Sequence, residues 1–225
     1  AAVGGEARHC DVSDWDSVDA LAASIESCDV LVNNAGILRD RSFKKMTLSD
    51  WDLVLQVHLS GTAYVTRAAW PHMNEQGYGR IVLTSSSSGI YGNFGQANYG
   101  AAKMGMLGLM NVLALEGAKN NVRVNTLAPA AATRMISTIP GRDINPDSPP
   151  PESAPKLVSP AVLFMTSDEA PTGAVINAGG GRYYRAQIFV NGPIDLGVEA
   201  SFEDLMANTE SLMDMSQAKP KTGGV

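Results

Sequence analysis

The chain alternates short apolar runs with longer stretches in which apolar residues recur every three or four positions. The runs "DVLVNNAG" (29–36), "GRIVLTSS" (79–86), "VRVNTLAP" (122–129) and "GAVINAG" (173–179) are continuous and rich in Val, Ile and Leu, as strands buried on both faces are. "EARHCDV" (6–12) reads as a further strand. Helical spacing over "SDWDSVDALAASIES" predicts a helix with Ser13 as N-cap and acidic residues in its first turn. A long helix is predicted from Leu48 to Met73, opened by Thr47 and Asp50 at the spacing of a capping pair. Another, over 95–119, is apolar nearly all round, the pattern of a helix that is buried or lies at a subunit interface. A shorter helix is predicted near 158–167. Buried strands separated by helices predict an α/β fold, a doubly wound parallel sheet with right-handed crossovers.

Two segments break this rhythm. Residues 138–156, "TIPGRDINPDSPPPESAPK", are too rich in proline for regular structure and form a long loop, either a lid or a plain excursion. After Gly181 comes "RYYRAQIFVNGPIDLG", and then an amphipathic helix is predicted from Ser201, with Phe202, Leu205, Leu212 and Met213 on one face. The end, "KPKTGGV", is linker-like. The domain boundary is therefore placed at 185, with a C-terminal extension over 186–225.

Composition narrows the function only slightly. With 44% apolar and 18% charged residues, the 225-residue chain suits an ordinary folded domain. A net charge of −6 without a Lys/Arg block argues against nucleic acid as a partner. No apolar run is long enough for a membrane span. Cys10 and Cys28 are too few for a disulfide framework and suit a reducing compartment. His9 and His72 have no partners at metal-ligand spacing, so no metal site is expected.

In a parallel sheet, ligands gather at the carboxyl ends of the strands. Three polar sets fall at such ends: Asn33–Gly36, the serines 85–88, and the segment from Asn125 to Thr133. Within "SSSSGIYGNFGQANYGAAK" (85–103), Tyr99 and Lys103 stand four residues apart and so share one helix face. Two readings are open: an amphipathic surface, or a proton-transfer device. A phenol titrates near ~10, and an adjacent ammonium lowers that value toward a usable acid–base range. A serine hydroxyl at the neighbouring strand end could hold a substrate oxygen.

In this combination ("NNAG" after a strand, a serine thirteen positions before a tyrosine, then "YGAAK") the chain resembles the short-chain dehydrogenases/reductases from residue 5 to 181. Within that family, "VHLSGTAYVTRAAWPHM", "SGIYGNFGQANYGAAK" and "LALEGAKNNVRVNTLAP" are most similar to the (3R)-hydroxyacyl-CoA dehydrogenase part of peroxisomal-type multifunctional β-oxidation enzymes and their bacterial relatives. The resemblance implies a Rossmann-type fold and a nicotinamide cofactor, NAD or NADP, with NAD favoured. It implies Tyr99 as catalytic acid/base, Lys103 as the cation that lowers its pKa and holds the ribose hydroxyls, and Ser86 as the group that orients the substrate oxygen. Asn34, Ala35 and Gly36 would line the cofactor side. Asp11 and Val12 match the family's adenine contact, and Pro129 and Thr133 its nicotinamide-amide segment. The implied substrate is a 3-hydroxyacyl-CoA, oxidised to the 3-oxoacyl-CoA. A 3-oxoacyl-thioester reductase working on acyl carrier protein, and a non-catalytic interaction module keeping the fold, are the alternatives. Family members pair through the two long helices, so a homodimer or homotetramer is implied; the location would be cytoplasmic in a bacterium and peroxisomal in a eukaryote.

The departures from the family pattern are specific. His58 stands where many members carry an asparagine; it either joins the proton relay by hydrogen bonding or is a packed helix histidine. Ala130 replaces the usual glycine after Pro129. The family's Gly-rich phosphate turn has no counterpart, and Gly4–Gly5 does not substitute for it. The chain thus reads as N-terminally truncated, lacking the first βαβ part. It is expected to bind dinucleotide poorly, with "DVLVNNAG" left as an exposed apolar edge.

Overall fold

The computed structural model describes residues 4–137, 145 and 147–221. The chain divides into two compact units, residues 1–185 and 186–225. In the first, four parallel strands lie side by side in chain order: β1 (Val30–Asn33), β2 (Gly79–Thr84), β3 (Val122–Ala130) and β4 (Val175–Gly179). A fifth, β5 (Arg182–Ala186), follows β4 through the two-residue turn Gly180–Gly181. Both turn residues have positive φ, 58° and 71°, which glycine adopts without steric cost, so the chain can reverse within two residues.

Helices cover both faces. The first unit carries α1 (Trp15–Ala22), α2 (Leu48–Leu55), α3 (Gly61–Gln76), α4 (Ser87–Tyr91), α5 (Ala97–Gly117), the single turn α6 (Arg134–Ser137) and α7 (Ser159–Thr166). Successive strand residues point to opposite faces. On β3, the Thr126 hydroxyl meets Met110 of α5 at 3.1 Å, whereas Leu127 enters a cluster with Val82, Ala178 and the α7 residues Ala161 and Met165. The sheet is therefore doubly wound, and β2 is buried along its whole length.

Several expectations need correction. Residues 6–12 form no strand: a strand needs a ladder partner, and no described residue pairs with this segment. The helix after it is capped by Asp14, not Ser13; the Asp14 carboxylate accepts from the Asp16 N–H. The long helix runs from Leu48 through Gln76 with a π segment at Gln56–Ser60, and Thr47 does accept from the Asp50 N–H at 3.1 Å. At the sheet edge, Val30 and Val32 of β1 are 46% and 41% exposed. Of the loop 138–156, residues 138–144 and 146 lie outside the described residues, and the rest includes short 3₁₀ turns at Pro151–Ser153 and Pro155–Leu157.

In the second unit, β6 (Phe189–Val190) pairs antiparallel with β7 (Lys219–Pro220). The helix expected from Ser201 is two short helices, α8 (Phe202–Ala207) and α9 (Thr209–Met213). Ser201 and Asp204 form a capping box, but at Asn208 and Thr209 side chains bond to the backbone, a competition that interrupts helices. Phe202, Leu205, Leu212 and Met213 are all exposed.

At the amino ends of the strands, Arg80 is 1% exposed. Its guanidinium donates to the carbonyls of Gly79, Asn121 and Ser167 at 2.8–3.0 Å, stacks 4.1 Å over the Tyr78 ring and lies 3.6 Å from Asp168. Arg80→Ala would remove three hydrogen bonds to backbone carbonyls and leave a cavity, and is expected to destabilise the protein by about 3 kcal/mol. Urea denaturation measures it; a loss below about 1 kcal/mol would mean that the buried guanidinium merely offsets its own desolvation.

Candidate active site

Because β1, β2 and β3 are parallel and paired in register, their carboxyl ends share one rim, bringing Asn33–Asn34, Thr84–Ser86 and Pro129–Ala130 to the same side of the sheet. Helix α5 docks against this rim. The Ser85 hydroxyl donates to the Lys103 carbonyl at 2.7 Å, and α4 presses on α5 through Gly89, where a β-carbon would stand 2.8 Å from the Lys103 backbone. That docking sets the height of Tyr99 and Lys103 above the strand ends.

Lys103 is 3% exposed, and its Nζ donates to the Thr84 carbonyl at 2.6 Å. Burial pushes its pKa down to about 8. The ammonium stands 5.6 Å from the centroid of the Tyr99 ring. The Tyr99 phenol is raised, not lowered: burial dominates, a hydrogen bond from Ser86 works against it, and the Asp40 carboxylate adds to the rise. The expected lowering by Lys103 is not seen: burial of the phenolate sets the direction, and the ammonium is not among the causes of the shift. Ser86 also caps α4, its hydroxyl accepting from the Ser88 N–H.

His58 comes to the cluster from the π segment, where an extra residue per turn re-aims side chains. It is 1% exposed and meets Tyr99 edge to face, with centroids 5.2 Å apart. Nε2 lies 3.0 Å from the Ile37 N–H and 2.8 Å from the Ile37 carbonyl, while Nδ1 has no partner among the described residues. Burial, then the charge of Lys103, depresses its pKa to about 4. The ring also packs on Gly36, where a β-carbon would overlap Cε1, so the glycine of "NNAG" makes room for the imidazole.

That depressed pKa has a stability consequence. An unfolded histidine titrates near ~6.5, so between that value and about 4 the unfolded chain binds one more proton than the folded one. The stability present above pH 6.5 is expected to fall as the pH drops toward 4, by about 3 kcal/mol from this residue. Urea unfolding at pH 7.5 and 4.5 of wild type and His58→Asn would check it; equal pH dependence in the two refutes it.

Contacts join Ser86, Tyr99, Lys103, His58 and Gly36 directly, with Asn34 reached through Thr84, whose hydroxyl is 3.5 Å from Asn34 Oδ1. Ala35 is exposed beside Asn34. Other expected residues stand further along the chain's framework. Val12 packs on Gly61 at the start of α3, and Asp11 accepts from the Ser13 N–H and hydroxyl, which holds its carboxyl below the usual range. Pro129 lies near the end of β3, and the Thr133 carbonyl accepts from the Ile136 and Ser137 N–H groups of α6. Two residues that sequence reasoning passed over also hold the site. Asn98, fully buried, donates to the carbonyls of Arg39 and Asp50 and accepts from the Tyr99 N–H. Gln96 donates to Asp40 at 2.7 Å. Both lie in "GQANY", and polar residues opening an otherwise apolar helix were the available signal.

A serine just past the end of β2 shares the rim of a doubly wound parallel sheet with a half-buried tyrosine and a buried lysine. The short chain dehydrogenase family model matches residues 4–140, more than half of the chain, and the chain belongs to that family. It is 48% identical over 178 residues to the peroxisomal multifunctional enzyme type 2 of Mus musculus, covering 76% of this chain and 24% of that enzyme. It is 41% identical over 186 residues to an acetoacetyl-CoA reductase of Rhizobium meliloti, 77% of each chain being covered. The structure of the full-length peroxisomal multifunctional enzyme type 2 from Drosophila melanogaster superposes with a TM-score of 0.79 at 37% identity, over 99% of this chain and 39% of that one. The family implies a nicotinamide cofactor. Among the described residues no three side chains group as a metal site, and no helix is long and apolar enough to cross a membrane.

Proposed function

We propose that the protein interconverts a 3-hydroxyacyl-CoA and the 3-oxoacyl-CoA with a nicotinamide cofactor, NAD in preference to NADP. The observation that carries this reading is the Tyr99 ring, its centroid 5.6 Å from the buried Lys103 ammonium, on the rim where Ser86 follows the end of β2. Similarity to the multifunctional enzymes and to the reductase supports an acyl thioester as the substrate.

The residues present fit the nicotinamide end of the cofactor. Lys103 carries three N–H donors, and the Thr84 carbonyl takes one, leaving others for ribose hydroxyls. Asn34 and Ala35 are exposed at the strand end, where backbone can approach a ligand. When bound, the cofactor supplies or accepts the hydride. Asp11, Val12, Pro129 and Thr133 are the proposed further contacts.

The protein's own part is proton transfer. Ser86 offers a hydroxyl that orients the substrate oxygen by hydrogen bonding, and Tyr99 gives that oxygen a proton or takes one from it. As the phenolate forms, the Ser86 hydroxyl stabilises it, and the Lys103 ammonium stands 5.6 Å from the ring centroid. His58, neutral across physiological pH, keeps Lys103 from meeting a second cation and backs the phenol ring. A second reading, reduction of a 3-oxoacyl thioester, is favoured by one observation: a phenol raised by burial rests protonated and is ready to donate. Assaying the purified full-length protein with acetoacetyl-CoA and with 3-hydroxybutyryl-CoA, each with both cofactors, tests the proposal. Turnover of neither thioester would overturn it, and the ratio of the two rates separates the readings.

The exposed Met104, Val112 and Leu115 of α5 support a homodimer or homotetramer formed through this helix.

A further inference from the structure

Residues 39–45, just beyond the "NNAG" turn, gather charge of one sign in a chain whose net charge is −6: Arg39, Arg41, Lys44 and Lys45 stand with a single carboxylate, Asp40. That carboxylate is engaged by Gln96, whose Nε2 donates to its Oδ2 at 2.7 Å. Arg39 lies 4.0 Å from Asp50, the outer limit of an ion pair, and Arg41 gives one N–H to the Asp40 carbonyl. Lys44 and Lys45, exposed on the 3₁₀ turn Phe43–Lys45, form no side-chain hydrogen bond or ion pair with any described residue. Among these cations Phe43 is 75% exposed, and Phe94, on the adjoining loop, is 91% exposed. The run is fastened to the start of α5. The Arg41 N–H donates to the Gly95 carbonyl at 2.9 Å, and the Asn98 side chain donates to the Arg39 carbonyl while accepting from the Tyr99 N–H. The cations and the bare ring therefore border the rim that holds Tyr99. Like charges held together without partners repel one another, and a bound anion relieves them.

We propose that this run is the docking strip for the nucleotide end of the thioester, an adenosine carrying a diphosphate and a 3′-phosphate, with Arg41, Lys44 and Lys45 meeting the phosphates and Phe43 meeting the base. The inference rests on the acyl-CoA reading of the site and adds where the CoA end is held. The chemistry matches group by group. Each lysine is a point charge with three donors on a flexible stem, and Arg41 is a planar fork; both suit phosphate oxygens. An aromatic side chain stacks a purine through its π-face, whatever the pattern of donors on the base. Exposed contacts of this kind are screened by salt, which gives them a signature. A carrier protein's acidic surface would meet the cations equally well; the exposed ring among them favours the nucleotide.

The test measures binding without turnover. CoA, dephospho-CoA (which lacks the 3′-phosphate) and pantetheine (which lacks the nucleotide) are titrated by calorimetry into the full chain. CoA is expected to bind most tightly and pantetheine most weakly, with added salt narrowing the gap between them. Lys44→Gln combined with Lys45→Gln removes two unpartnered charges, and is expected to weaken CoA about tenfold while leaving pantetheine unmoved. Phe43→Ala is expected to weaken CoA and dephospho-CoA by the same factor, since both carry the base. Undiminished CoA affinity in the lysine variant overturns the proposal, as does a wild type that binds CoA no better than pantetheine. A lysine variant that keeps CoA but loses an acyl-carrier-protein thioester also overturns it, and assigns the strip to a carrier protein. Should the lysine variant fail to fold, unchanged CoA affinity in Arg41→Gln overturns it instead. Turnover is read separately. Acetoacetyl-CoA turned over by wild type, with CoA affinity unmoved in the variants, sinks this inference alone; CoA held through the strip with no thioester turned over sinks the proposed function alone.

Discussion

Lys103→Met is expected to make the protein more stable and at the same time to abolish its proton transfer. The ammonium is 3% exposed and its pKa stands at about 8, against 10.5 for a free lysine. Below pH 8 the folded state therefore carries a charge that it holds less well than water does, a cost of about 3 kcal/mol. Losing the hydrogen bond to the Thr84 carbonyl returns about 1 kcal/mol of that. Methionine has a similar length and fills the space with polarisable, apolar atoms. The expected gain at pH 7 is about 2 kcal/mol, read as a rise in the urea midpoint. The sign of its pH dependence is also set. Between pH 8 and 10.5 the unfolded chain binds the extra proton, so wild-type stability climbs with pH and the advantage of the variant shrinks. A variant that is less stable than wild type at pH 7 would show that the lysine contributes to the fold. A more stable, inactive variant would show that its charge is kept for chemistry.

Tyr99→Phe carries the largest expected effect on rate. The ring would still pack edge to face on His58, and the Asn98 clamp reaches only the backbone, so the fold is expected to be unchanged. What disappears is the proton that the hydroxyl exchanges with the substrate oxygen. General acid–base groups contribute about 10²–10⁴ in rate, and kcat with acetoacetyl-CoA is expected to fall by about that factor with KM little altered. A kcat within about threefold of wild type would remove Tyr99 from the chemistry and, with it, the proposed function.

The two variants probe different physics. The tyrosine reports what the site does, the lysine what the site costs. A buried cation next to a half-buried phenol and a depressed histidine is an expensive arrangement for a domain whose net stability is of order 5–15 kcal/mol. Such perturbed groups cluster where chemistry is done.

Much of this was legible along the chain. Uninterrupted apolar runs at 79–84 and 122–130 announced strands covered on both faces, and both are buried strands of the parallel sheet. The spacing of Tyr99 and Lys103 announced one helix face and the serine run a strand end, since helix periodicity and strand ends are local properties, while the pairing of Ser86 with Tyr99 came from the family resemblance. Other features could not be read. Residues 6–12 have a strand's composition, but a strand is stabilised by its neighbour's backbone, and no described residue supplies one. The extension after Ser201 has one helix's pattern, but Asn208 and Thr209 turn their side chains onto the backbone and split it. The partnership of Asp40 with Gln96 spans 56 positions and leaves no local trace.

By itself, then, the order of residues determined the buried strands and the long helices, and that Tyr99 and Lys103 would share one helix face near a strand-end serine, because these follow from local periods. Only the tertiary structure decided how those groups titrate. Lys103 is driven down to about 8 and Tyr99 goes up, both chiefly by burial, and burial depends on which distant elements close over a side chain.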